Sequence, residues 1–278
     1  MPRRLRLDAE LVRRGLARSR EHAGELIDAG RVKVAGAVAT KPATGVTTDV
    51  ALLVVDDPAD PGYASRGGHK LAGALAAFAP RGLQVTGRRC LDAGASTGGF
   101  TDVLLRNGAA QVVAVDVGYG QMVWHLRQDP RVEVHDRTNV RELTTETIRG
   151  PVDLVVGDLS FISLRLVLDA LLGVTHDEGD LVLMVKPQFE VGKDRVGKGG
   201  VVRDLALRAE AVLSVSEAAT ARGWGTRAVT TSSLPGPSGN VEFFLWLRRG
   251  PSSLTADDID EEVRRTPPVG APDEKVEP

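Results

Sequence analysis

Two lysines and two carboxylates stand where this chain can do chemistry. Asp158 follows the apolar run 152–156 in Val155-Val156-Gly157-Asp158-Leu159-Ser160-Phe161, and Lys186 closes the run 181–185 in Met184-Val185-Lys186-Pro187-Gln188-Phe189. In an open α/β sheet ligands bind beyond the carboxyl ends of the strands, so an acid at the end of such a run points into the site. A lysine there is partly desolvated, which lowers its pKa, and a second lysine nearby lowers it further. Lys70, in Ser65-Arg66-Gly67-Gly68-His69-Lys70-Leu71, is the candidate second lysine. Glu242, in Gly239-Asn240-Val241-Glu242-Phe243, opens an otherwise apolar strand, where an acid needs a reason. Taken singly, Lys70 reads as a surface lysine and Glu242 as a strand-edge charge. The agreement of all four carries the weight.

A glycine-rich turn supplies the other half of the chemistry. Leu91-Asp92-Ala93-Gly94-Ala95-Ser96-Thr97-Gly98-Gly99-Phe100 ends one strand and opens a helix. Small residues let a ligand approach the backbone, and the helix N-terminus offers free N–H groups. A dinucleotide fingerprint fails because Ser96 replaces its second glycine, and a P-loop fails because no lysine follows. An acid followed by small residues at alternating positions, here Asp92, Gly94, Ser96 and Gly98, suits S-adenosylmethionine. Its sulfonium and ammonium tolerate an acid that would repel a pyrophosphate. Asp116, ending the next strand, can accept hydrogen bonds from ribose hydroxyls. The expected cofactor residues are therefore Asp92, Gly94, Ala95, Ser96, Gly98, Gly99, Phe100, Asp116 and Asp158, and no metal is expected. Asp-Leu-Ser-Phe differs from the Asn/Asp-Pro-Pro-aromatic motif of enzymes that methylate a base amine, which argues against amine chemistry.

These residues need a sheet to position them. Runs at 90–93, 112–117, 132–134, 152–156 and 181–185 have the length and apolarity of parallel strands covered on both faces, with room for crossover helices between them. Segments 226–231 and 241–247 follow with no long helix between, so they can pair antiparallel. The fold class expected is α/β, a Rossmann-like, mostly parallel sheet with an antiparallel last strand.

Ahead of it, residues 1–55 read as a small α+β module. Leu7, Leu11 and Val12 have helical spacing up to Gly15, Ser19 caps a second helix bearing Ala23, Leu26 and Ile27, and Val32, Val34 and Val38 alternate about Ala35-Gly36. Residues 56–64, with two prolines and several acids, read as a linker, 65–249 as the main domain, and 250–278 as an acidic tail with at most one short helix and a disordered end.

Charge sharpens the division. The net charge is −2, but the last 29 residues hold eight acids and three bases, and the first 36 hold nine Lys/Arg against five Asp/Glu. A basic front module points to nucleic acid. The lone cysteine, Cys90, rules out an internal disulfide, the N-terminus is no secretory signal, and no apolar run is long enough to span a membrane. A cytoplasmic location without membrane or protein partner is the expectation.

The motifs together resemble one family. Ser-Arg-Gly-Gly-x-Lys-Leu, Asp-x-Gly-x-Ser-x-Gly-Gly-Phe, Asp-Leu-Ser-Phe-Ile-Ser, Lys-Pro-Gln-Phe-Glu and Pro-Gly-Pro-x-Gly-Asn-x-Glu-Phe, in order over about residues 1–249, are similar to those of the TlyA family, bacterial ribosomal RNA ribose 2′-O-methyltransferases also called haemolysin A. The resemblance implies an N-terminal S4-type RNA-binding domain, a class I methyltransferase domain, ribosomal RNA as partner with a cytidine 2′-hydroxyl as acceptor, and a Lys-Asp-Lys-Glu tetrad falling on Lys70, Asp158, Lys186 and Glu242. Lys186 is then the expected proton acceptor, with the other three arranging it. By phosphate charge, RNA contacts are expected at Arg4, Arg6, Arg18, Arg20 and Lys33, at Arg66, and at Lys193, Arg195 and Lys198 in the glycine-rich loop after Lys186. Three rivals are an RNA-binding protein with an inactive enzyme fold, a membrane-active haemolysin, and a pseudouridine synthase. The intact tetrad speaks against the first and the lack of a long basic amphipathic helix against the second. Arg89-Cys90-Leu91-Asp92 has one residue too many for the third.

Overall fold

A computed structural model describes residues 4–57, 60–236 and 238–266. The chain divides into two compact units between Gly62 and Tyr63, inside the proline- and acid-rich segment.

The first unit packs two short helices on small sheets. Strand β1 (Leu5–Arg6) runs into helix α1 (Leu7–Arg13), and α2 (Arg20–Asp28) follows with Ser19 Oγ accepting the His22 N–H at its N-cap. Strands β2 (Val32–Val34), β3 (Ala37–Val38), β4 (Gly45–Val46) and β5 (Leu52–Val54) complete it, with β4 on β1 and β2 between β3 and β5. Ala35 and Gly36 both have positive φ, the backbone that a tight two-residue hairpin requires. Leu7, Leu11, Ala23, Leu26, Ile27 and Val32 form the core. Arg31 binds Asp60, so residues read as linker fold back onto this unit.

The second unit is one seven-stranded sheet. Helix α3 (Gly67–Phe78) precedes β6 (Arg89–Ala93), α4 (Gly99–Arg106), β7 (Gln111–Val115), α5 (Trp124–Arg127), β8 (Val132–His135), β9 (Val152–Gly157), α6 (Leu168–Gly173), β10 (Thr175–Val185), α7 (Pro187–Glu190), α8 (Leu205–Thr220), β11 (Trp224–Thr231), β12 (Phe243–Arg249) and α9 (Ala256–Arg264). The strand order is β11-β12-β10-β9-β6-β7-β8, parallel except for β12, which runs antiparallel to both neighbours. This is the Rossmann-like arrangement with an antiparallel last strand.

Alternate residues of each strand serve different cores. Leu91, Val113, Val155, Leu181 and Leu183 pack under α6, α8 and α9, while Cys90, Val112, Leu154, Val182 and Phe244 pack under α3 and α4. Both faces are covered, which is why the strands read as unbroken apolar runs. The run at 112–117 overshoots the strand: β7 stops at Val115, and Val117 is exposed. The run at 181–185 undershoots, because β10 begins at Thr175.

The short acidic helix expected in the tail is present and docks on the second unit. Thr255 caps α9 through a reciprocal capping box with Asp258, and Ile259 and Val263 enter the core. Two apolar residues four apart suffice to dock this otherwise acidic helix. Residues 267–278 lie outside the described residues.

Candidate active site

The loops beyond the carboxyl ends of β6, β7, β9 and β10 lie on one edge of the sheet with the segment entering β12. The Gly94 N–H and Ala95 N–H both donate to Val115 O, and the Asp158 N–H donates to Ala93 O, so the glycine turn, the end of β7 and the end of β9 are stitched together. Gly94 has φ +86, and any Cβ there would come within 2.9 Å of Asp158 O. Backbone alone can occupy that place, which brings the turn directly against Asp158.

Two ion pairs lie along this edge. Lys186 Nζ lies 2.5 Å from Asp158 Oδ1 and donates to Ser160 Oγ at 2.8 Å. Lys70 Nζ lies 2.5 Å from Glu242 Oε2, both side chains being almost fully buried. The register joins the pairs. Val185 faces Phe243 across β10 and β12, so Lys186 and Glu242 are the next facing positions. The first turn of α3 closes the arrangement, since a Cβ on Gly67 would sit 3.8 Å from Asp158 Oδ2. The four residues singled out in the sequence therefore converge, although Lys70 and Glu242 are 172 positions apart. Glu242 Oε1 is buried without a hydrogen-bond partner.

The turn residues divide into lining and support. Ser96, at φ +46, donates its N–H to Asp116 Oδ2 at 2.8 Å, and Gly118 donates to Asp116 Oδ1 at 2.7 Å. Half-buried Asp116 thus keeps a lone pair on each oxygen for a ligand hydroxyl. Gly98 is closed to any side chain by Leu126 and Met122. Gly99 begins α4 packed against Ser65, and Ala95 is buried. Phe100 is buried, with its ring 6.1 Å from that of Phe244 and its edge facing Gly67. Asp92 stands behind the turn. It is fully buried, Oδ2 accepts from Thr101 Oγ1 at 2.7 Å, and Oδ1 has no partner.

Burial pushes the Asp92 carboxyl up to about 7, against the hydrogen bonds from Thr101 and with help from the charges of Asp158 and Asp116. A carboxyl whose folded pKa exceeds its unfolded value contributes stability below the unfolded pKa and loses it as pH rises through the folded one. Asp92→Asn is therefore expected to stabilise the protein increasingly between about pH 4 and pH 7, by up to about 4 kcal/mol. Thermal melts of both proteins at about pH 5 and about pH 8 check this. An equal difference in Tm at the two pH values would contradict it. Cys90, also in the core, has its thiol pushed up to about 12 by burial and is inert.

Two residues without a sequence-derived role shape the rim. Glu190 accepts the Ser163 hydroxyl at 2.5 Å and the Leu164 N–H at 2.7 Å, strapping α7 to the loop after β9. Desolvation raises its carboxyl, and these bonds together with Arg165 oppose that rise. On the strapped loop Phe161 has φ +64 and is 92% exposed, its ring 5.3 Å from that of Phe189. A strained, exposed aromatic beside reactive groups is a functional signal.

The expected RNA residues differ in their freedom. Arg6 and Arg20 both fork onto buried Asp8, whose carboxyl the Arg6 and Arg20 guanidinium groups hold down at about 2. Arg4 and Arg18 are exposed, and Lys33 is half-buried on β2. In the second unit Arg66 is half-buried just ahead of α3, and Lys193 and Lys198 are exposed. Arg195 is bound by Glu210 and donates Nε to Val191 O, a structural use that its place in a basic loop did not reveal.

Comparison with known proteins agrees with this layout. Residues 63–249 match the FtsJ-like methyltransferase model and residues 5–50 the S4 domain model. The chain is 60% identical over 266 residues to the 16S/23S rRNA (cytidine-2′-O)-methyltransferase TlyA of Mycobacterium tuberculosis, covering 95% of this chain and 98% of that one. It is 35% identical to Hemolysin A of Brachyspira hyodysenteriae, covering 86% and 98%. The solved structure of a Streptococcus thermophilus protein classed by inference as a hemolysin superimposes with a TM-score of 0.75 at 36% identity, covering 95% and 96%.

Proposed function

The chain belongs to the TlyA family, with that family's S4 and FtsJ-like methyltransferase domains, and on this premise we propose that it methylates a cytidine 2′-oxygen of ribosomal RNA with S-adenosylmethionine as donor, through Lys70, Asp158, Lys186 and Glu242. The single observation that carries the chemistry is the convergence of two lysine–carboxylate pairs against a turn whose Gly94 admits no side chain.

The turn suits the donor. Its backbone is bare at Gly94, where no side chain fits against Asp158, and Asp116 offers acceptors for a ribose while Asp158 offers a carboxylate near a cation. Bound there, S-adenosylmethionine supplies a methyl carbon on a cationic sulfur, whose bond breaks as the ribose oxygen's electron pair forms the new carbon–oxygen bond. The protein's own task is the proton. Lys186 Nζ is the group placed to take it from the 2′-hydroxyl, and Asp158 at 2.5 Å stabilises the resulting ammonium. Ser160 fixes the direction of Nζ. Lys70, locked by Glu242, supplies a fixed donor to orient the hydroxyl, so proximity contributes alongside acid–base work.

RNA is held by phosphate contacts from the basic residues and by stacking on Phe161. Base–aromatic stacking contributes about 1–3 kcal/mol, so Phe161→Ala should weaken productive RNA engagement roughly five- to a hundredfold in kcat/KM. Cofactor affinity, read by calorimetry, should stay unchanged, and an unchanged kcat/KM would contradict the assignment. No helix among the described residues is long and apolar enough to cross a membrane. The functional test is transfer of labelled methyl from S-adenosylmethionine to ribosomal subunits by the purified chain, together with titration of the cofactor. Cofactor binding without transfer would favour a non-catalytic RNA-binding protein.

A further inference from the structure

The motif ahead of Glu242 contains a residue with no role in the chemistry above. Asn240 is 2% exposed, and both ends of its amide are used. Oδ1 accepts the Val202 N–H at 2.9 Å, and Nδ2 donates to Gly200 O at 2.7 Å. Asn240 thereby grips the far shank of the glycine-rich loop, residues 192–203, from the segment that leads into β12. The same shank is gripped once more, because Arg208 Nε donates to Val202 O at 3.0 Å from inside α8. Val201 and Val202 are buried, whereas Lys193, Lys198 and Arg203 on the rest of the loop are exposed.

On its other side Asn240 fixes Glu242. The Gly236 N–H donates to Asn240 O at 2.8 Å, and a Cβ on Gly236 would lie 2.6 Å from Glu242 Oε1, so this turn walls the carboxylate that holds Lys70. The Ser232 N–H donates to Glu242 O. A shift of the loop shank at Gly200 and Val202 therefore moves, through one side chain, the turn against which Glu242 rests. The geometry points to Asn240 as a positioning residue that couples RNA engagement by the 192–203 loop to the setting of the Lys70–Glu242 pair. The inference deepens the proposed function and rests on the reading that Lys193 and Lys198 meet RNA phosphate.

The amide matters chemically. In Asn240→Asp, a carboxylate oxygen replaces the donor that faces Gly200 O, while volume and the acceptor for Val202 are kept. The full chain carrying Asn240→Asp should lose roughly ten- to a hundredfold in kcat on ribosomal RNA, the scale of a small misplacement of reacting groups, with cofactor affinity unchanged. Lys193→Ala/Lys198→Ala should raise KM and lower kcat at saturating RNA. In the Asn240→Asp background the lysine pair should change kcat by less than about twofold, because the coupling is already broken. Losses in kcat that multiply independently would overturn the proposal, as would wild-type kcat in Asn240→Asp. A second measurement needs no variant. On addition of ribosomal RNA to the wild-type chain, the amides of 196–203 and 236–243 should gain hydrogen-exchange protection together. Protection of the loop alone would overturn the coupling. If the wild-type chain transfers no methyl to RNA, the functional reading itself fails. If it transfers but Lys193→Ala/Lys198→Ala changes neither kcat nor KM, the coupling alone fails.

Discussion

Lys186→Ala is expected to lower the rate of ribosomal RNA methylation about a thousandfold, while the protein still folds, binds S-adenosylmethionine and engages RNA. The loss falls on the chemical step because Lys186 Nζ is the group placed between Asp158 and Ser160 at the strand end. The Asp158 side chain as a whole is about a quarter exposed, so the loss of its partner leaves it in reach of water and the fold intact. Lys186→Arg sharpens the test. Arginine keeps the positive charge and the pairing with Asp158 but cannot give up its proton near neutral pH. If the lysine takes the hydroxyl proton, Lys186→Arg should be as slow as Lys186→Ala in single-turnover rates. If its charge alone mattered, Lys186→Arg would stay within about tenfold of wild type, and the proton-acceptor role would be wrong.

Glu242→Leu is expected to destabilise the protein by about 3–5 kcal/mol, because it strands the buried Lys70 ammonium without a counter-charge. Against a total stability of about 5–15 kcal/mol, that is enough to lower the melting temperature sharply and leave much of the protein unfolded on warming. The double variant Lys70→Met/Glu242→Leu removes both charges with side chains of similar volume, and such exchanges are commonly neutral or stabilising. It should recover the melting temperature of the wild type without recovering methylation. Denaturant melts and transfer assays on the single and double variants separate the two effects. A double variant as unstable as Glu242→Leu would show that the pair is no isolated buried ion pair. A double variant with wild-type transfer would remove Lys70 and Glu242 from the active site.

The legibility of these features follows from the range of the forces involved. Asp158 and Lys186 stand out in the sequence because each ends an apolar strand, and strand ends in a parallel sheet are where ligands bind. The turn from Gly94 to Gly98 is legible because close backbone approach demands small residues locally. Lys70 is legible only by motif, since its burial depends on a carboxylate 172 positions away that no local pattern announces. Asp92 and Phe100 sit in the same motif as the lining glycines, yet the helix that follows turns them into the core. Tertiary partners likewise decide the fate of the basic residues. Glu210 takes Arg195 and Asp8 orders Arg6 with Arg20, while Lys193 and Lys198 stay exposed. The exposure of Phe161 and the docking of α9 into the core escape sequence reasoning for opposite reasons. An aromatic after a strand resembles core, and an acidic tail resembles a solvated chain until Ile259 and Val263 find the sheet's cover.

The central claim is that the methyl group ends on a ribose oxygen and not on a base. Ribosomal RNA methylated by the purified chain with isotopically labelled S-adenosylmethionine, digested to nucleosides and resolved by mass spectrometry, tests it most directly. Label is expected in 2′-O-methylcytidine, with the methyl retained on the sugar fragment and the free base unlabelled. Label that follows the cytosine base would contradict it.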